Sequence, residues 1–188
     1  MDLAKVYPYV TLSGNGEDQT ELPAGMPEGM FLPLGHEVFA VPVYDLGDDF
    51  RNVQPDDLEE AGLNPADLHA EALYNLETLA QGPAIQKATH QVPDGYKVIV
   101  WSGHWLVASC LRLPRLYDFA AKTLETDRLC ISIPQRELLF VFPEGTREQR
   151  DQMRAIILDN ETDAKNPITW ELFSLSANGL RPIVETPA

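Results

Sequence analysis

Apolar residues return at helical spacing at Leu68, Ala72, Leu76 and Leu79, which defines one buried stripe of a long helix. Asn64 stands at the cap, Pro65 suits the first helical position, and Asp67 sets negative charge against the exposed first-turn amides. Gly82 and Pro83 follow Gln81 and stop the helix. Asn75 falls almost in the middle of the apolar stripe. A buried amide there needs partners, so it either ties the helix to a neighbouring loop or contacts a ligand. Upstream, the acidic segment opened by Pro55 and closed by Gly62 predicts a two-turn helix, and Val38, Phe39, Val41 and Val43 predict a strand.

The rest of the chain alternates between short apolar runs and turn residues. Residues 83–95 read as a connection, and residues 96–101 and 105–113 as antiparallel strands around a tight turn at Ser102, Gly103 and His104. Pro114 opens a helix through Leu116, Phe119, Ala120 and Leu124, and a second strand pair follows at 129–133 and 138–142. Thr146 with Gln149 has capping-box spacing, with Met153, Ile156 and Ile157 as the buried face of the helix it begins. Residues 168–184 supply a last apolar stretch that closes the core. This order predicts an α+β fold, a mainly antiparallel sheet with helices packed on it, in a single domain. The Gly- and Pro-rich residues 1–32 form an arm or loop in this reading, and residues 33–188 form the domain. Met26, Met30, Phe31 and Leu32 are expected to cover the core.

The stretch PLGHEVFAVPVYDLGDDFRNVQPDDLEEAGLNPADLHAEALYNLETLA, followed by GHWLVASCLRL and RLCISIPQRELLFVFPEG, resembles the YtpQ-like bacterial proteins. The likeness rests on the strand, the acidic turn, the two closely spaced helices, the AL-x-NL helix centre and the P-x-R-x-x-L strand pair. It covers about residues 33–175. It implies an α+β domain and no particular reaction, because none is established for that family; fold alone does not assign function.

Charge changes the picture more than composition does. Across 188 residues, 14 basic against 29 acidic side chains leave a formal charge of −15. Nucleic acid and anionic membrane surfaces would repel such a chain, whereas a basic protein would be attracted to it. No apolar run is long enough to span a bilayer, and the first residues lack a signal-peptide pattern, so the expected location is the cytoplasm. Cys110 and Cys130 sit in apolar runs as buried small hydrophobes rather than as metal ligands. His36, His69, His90 and His104 show no metal spacing and read as surface residues. Ser102 and His104 are too close in sequence for a catalytic pair, and no nucleophile-elbow or cofactor motif is present.

Ten acidic residues against one basic residue, Arg51, fall between Asp45 and Glu77. The expectation drawn from this density is a non-catalytic protein-binding domain without a cofactor, in the manner of an immunity or inhibitor protein that neutralises a basic toxin or effector domain. Its partner-binding residues would be Asp45, Asp48, Asp49, Asp56, Asp57, Glu59 and Glu60, with Trp101 and Trp105 as aromatic anchors. The alternative is a cytoplasmic enzyme or small-molecule-binding protein whose site is assembled from loops around Asp45, Asp48, Asn75, His104 and Arg136.

Overall fold

The computed structural model describes residues 1–12, 27–92, 96–161 and 164–185. Its strands form two antiparallel sheets. In the first, β1 (Val6–Leu12), β2 (Leu32–Gly35), β3 (Val38–Asp45) and β4 (Phe50–Asn52) are arranged around β3. β1 pairs with β3 from Val6 opposite Tyr44 to Leu12 opposite Val38. β2 and β4 share the other edge, against the two ends of β3. Two helices follow, α1 (Pro55–Ala61) and α2 (Pro65–Gln81).

The second sheet takes β5 (Gln86–Gln91), β6 (Lys97–Ser102), β7 (Leu129–Ser132), β8 (Leu138–Pro143), β9 (Leu172–Ser176) and β10 (Gly179–Pro182) in the order β10-β9-β7-β8-β6-β5. α3 (Leu116–Leu124) and α4 (Arg147–Asn160) complete the α+β architecture.

Alternation along the second sheet explains where its layers lie. Ile99, Trp101, Ile131, Leu139, Val141 and Phe173 turn to a core shared with Val10, Val38 and Val41 of the first sheet, Leu76 of α2 and Leu116 of α3. Val98, Cys130, Phe142 and Leu172 turn to the opposite face, where Met153 and Ile157 of α4 cover them. Each such side chain contributes about 1.5–3 kcal/mol on burial. A third cluster joins Val6, Met30, Val53 and Leu58 to Leu68 and Ala72 of α2. Met30 is therefore core, and Phe31 and Leu32 pack against core residues, while Met26 lies outside the described residues.

β1 is drawn from the segment expected to be an arm, and it carries Pro8 in its middle. The register accommodates it: Pro8 faces Pro42 of β3. In an antiparallel ladder, alternate residue pairs exchange no hydrogen bonds, and there neither missing N–H is felt across the pair. Pro42 lies where the outer edge of β3 passes from β2 to β4, and its carbonyl accepts the Val53 N–H at 3.2 Å. The open edge of β1 is also covered, because the buried Val10 N–H donates to Ser109 Oγ at 3.2 Å.

That Ser109 belongs to a 3-10 turn, Ala108–Arg112, which corrects the strand expected over residues 105–113. Ala108, Ser109, Cys110 and Leu111 are all buried in succession, so no period-two pattern exists there for a half-exposed strand. The antiparallel neighbours of β6 are instead β5 and β8. The sequence pattern reads β5 as part of the connection over residues 83–95. Every residue of β5 is exposed, so main-chain pairing and not an apolar face holds it at the sheet edge.

The sheets meet at the turn between β2 and β3. His36 (φ 52°) and Glu37 (φ 60°) both occupy the left-handed region, as a two-residue hairpin turn of the favoured hand requires. His36 Nε2 lies 3.1 Å from the Leu172 carbonyl of β9, and its ring meets Phe173 edge-on at 5.2 Å. Beside it Gly35 has φ 102°, and a Cβ there would come within 2.7 Å of Pro182 in β10. His36 is thus a structural tie between sheets rather than a surface residue.

Asn75 resolves in favour of structure. Its Nδ2 donates to the carbonyls of Leu3 at 2.7 Å and Val6 at 2.9 Å, fastening α2 to the start of β1. Asn75→Leu should therefore lower unfolding free energy by about 1–3 kcal/mol in urea titration. An unchanged midpoint would show that these bonds do not hold the N-terminal strand.

Candidate functional site

The acidic residues nearest the predicted docking face sit on a hairpin and the helix that follows it. β3 passes to β4 through residues 46–49, closed by the Leu46 N–H donating to the Asp49 carbonyl at 2.9 Å. Gly47 has φ 94°, and its N–H donates to Asp45 Oδ1 at 2.8 Å. Asp49 Oδ1 accepts the Phe50 N–H at 2.8 Å. At this tip Leu46 is 54% exposed, flanked by the exposed Asp48 and Asp49.

β4 then hands the chain to α1 through a fixed joint. Arg51 grips Asp57 with both ends of its guanidinium, Nη1 to Oδ2 at 2.5 Å and Nη2 to Oδ1 at 2.8 Å, and the Gln54 N–H adds a third bond at 2.8 Å. The hydrogen bond from Arg51 is the largest cause holding the Asp57 carboxyl below its ordinary range, against the opposing effect of burial. Asp57 is therefore committed to the scaffold and leaves the predicted docking set. Asp56, Glu59 and Glu60 remain exposed on one side of α1. Glu60 lies 3.7 Å from the amino group of Met1.

An aromatic cluster borders the hairpin. Phe50 stacks on Trp105 with centroids 5.1 Å apart and an interplanar angle of 9°, and Tyr9 lies 4.7 Å from Phe50. Aromatic faces of this kind attract cations, and here the cation is internal. The Arg136 guanidinium sits 5.4 Å from the Tyr9 centroid and 5.9 Å from that of Phe50, with its Nη2 bonded to Asn166 Oδ1 at 3.0 Å. Trp105 is half-buried at the edge of this cluster.

Trp101 does not join it. Its ring is 4% exposed in the main core, with Lys87 Nζ 4.5 Å from its centroid and Phe119 edge-on at 5.9 Å. Strand alternation sends it inward, so it is no anchor for a partner. Asp45 is half-buried at the end of β3, close enough to His104 for its charge to act on the ring.

The residues of the alternative, loop-built site are not all gathered. Asn75 is committed to Leu3 and Val6, Asp48 projects at the exposed hairpin tip, and Arg136 is packed on aromatic rings. Asp45, His104 and Arg136 border one aromatic cluster, that of Phe50 and Trp105. Among the described residues no group of three His, Cys, Asp or Glu side chains is placed to hold a metal ion. No helix among them is long and apolar enough to cross a membrane. Cys110 and Cys130 are free thiols in different clusters, each pushed up to about 12 by burial.

Comparison with known proteins is silent: no family model, no curated protein and no solved structure matches this chain.

Besides His36, two more histidines expected at the surface are drawn inward. The Leu106 N–H donates to His104 Nδ1 at 3.2 Å, which leaves the proton on Nε2 and the ring neutral. Burial lowers the His104 pKa, with Asp45 pulling the other way. His69 is 6% exposed, its Nε2 is 3.0 Å from the Gly29 carbonyl, and its Nδ1 is buried without a partner. Burial first, and then the Arg112 charge, lower its pKa.

A His whose folded pKa is depressed stabilises the fold fully above the unfolded pKa of about 6.5, and that stability falls as pH drops below it. The urea midpoint should therefore fall between about pH 7.5 and about pH 5.5, and fall less in His69→Gln. An equal drop in both chains would contradict the assignment.

Proposed function

We propose that this chain is a non-catalytic binding domain that docks a basic protein through the acidic hairpin and helix α1. The observation that carries the reading is the contrast between Asp57 and its neighbours. Asp57 is neutralised by Arg51, whereas Asp48, Asp56 and Glu59 are exposed with no ion pair among the described residues. Asp48 sits beside the exposed Leu46 at the hairpin tip, while Asp56 and Glu59 stand on α1, which the Arg51–Asp57 pair ties to β4. Exposed carboxylates raise the encounter rate with a cationic partner, while an apolar tip supplies contact area once docked. Trp105 and Phe50 extend the surface on one side, as an edge already stiffened by Arg136.

A partner held in this way has its basic face covered, which is how an immunity or inhibitor protein would neutralise a basic toxin or effector domain. The cytoplasm suits the two free, buried thiols. Membership of the YtpQ-like family, proposed on the motifs above, is compatible with this role and adds no reaction to it.

The test is capture from an extract of the native cells at low salt by the wild-type chain and two variants, Leu46→Ser and the double change Asp48→Lys with Glu59→Lys. The wild type should retain a stoichiometric basic protein that high salt releases. The double variant should associate about tenfold or more slowly, and Leu46→Ser should shorten the lifetime of the complex. Equal capture by all three chains would reduce the acidic face to a solvated surface.

A further inference from the structure

A second site lies away from the acidic hairpin, in a groove of about 630 Å³ between β2, the connection from the 3-10 turn to α3, and the β9–β10 hairpin. That volume is in the range of small-molecule sites. Six leucines and two prolines share its walls with Arg112, Tyr117, Asp118 and Ser176.

Arg112 is the anomaly. The other half-buried arginines have partners: Arg51 holds Asp57, Arg150 holds Glu185, Arg154 holds Asp151, and Arg136 holds Asn166. Arg112 makes no hydrogen bond or ion pair among the described residues, and its Nη1 is shut off from water as well. Burial weakens its hold on its proton. A guanidinium taken partly out of water with nothing to bind is costly to the fold. In a chain with 29 acidic residues, no carboxylate has been placed against it, although Asp118 lines the same groove.

We infer that this groove binds a small monocarboxylate with an apolar body, its carboxylate on Arg112 and its hydrocarbon against the leucine walls. With Nη1 closed to the groove, the carboxylate takes the Nε–Nη2 edge of the planar guanidinium in two-point geometry. Asp118 and the net charge of −15 oppose a more highly charged anion such as a phosphate. Leu32, Leu34 and Leu180 offer hydrocarbon contact, and Tyr117 and Ser176 leave polar groups on the same walls.

The probes are octanoate and phenylbutyrate, titrated calorimetrically into the full chain beside the matching alcohols, octanol and phenylbutanol. At least one carboxylate should bind with one site per chain, and its alcohol should bind about tenfold or more weakly, as should that carboxylate to Arg112→Met. Absence of binding by both carboxylates would overturn the inference. So would alcohols that bind as well as acids, or an Arg112→Met chain that keeps full affinity. If that variant does not fold, the ratio of acid to alcohol on the wild-type chain decides alone.

Discussion

β3 is the constraint on which the rest of the structure depends. It is paired along one edge by β1 and along the other by β2 and β4, and Val38, Ala40, Val41 and Val43 are buried within it. Its first end leaves the His36 turn, tied to β9, and so sets the joint between the two sheets. Its last end leaves Asp45 and the acidic tip. The Arg51–Asp57 pair ties α1 to this sheet, so the exposed carboxylates of the tip and of α1 stand on elements fixed to the core.

Electrostatics sorts the acidic residues into two kinds. Asp57, and Glu77 beside Arg115 at 3.1 Å, belong to the scaffold. The carboxylates of the hairpin tip and of the outer side of α1 are left to solvent. The same sorting among cations sets Arg112 apart from its paired counterparts and sets Arg136 against aromatic rings. Unneutralised charge marks two places, the exposed carboxylates of the hairpin and α1, and the single guanidinium of Arg112 in its groove.

Much of the fold was legible in the chain because local chemistry and burial agree there. Asn64 caps α2 through the Asp67 N–H, and Thr146 with Gln149 forms the capping box of α4. β7 and β8 are short apolar runs bounded by turn residues, and both lie in the interior of the sheet. β5 was hidden, since a strand with both faces in water has no apolar period to read. Residues 105–113 misled for the opposite reason, as uniform burial in a 3-10 turn resembles a core strand. Of the residues proposed for docking, the acids are readable from charge density alone. The Arg51–Asp57 pair and the inward turn of Trp101 depend on contacts between elements, which spacing does not encode. Arg112 carried no signal at all in sequence, because its oddity is the absence of a partner in space.

The most direct test of the central claim, that the acidic hairpin and α1 form the docking surface, is amide hydrogen exchange on the chain alone and in complex with the basic protein it captures. The account predicts slowed exchange confined to residues 44–61 and to His104 and Trp105, with β5 unaffected. Slowed exchange at β5 or along the Arg112 groove, with residues 44–61 unchanged, would contradict it.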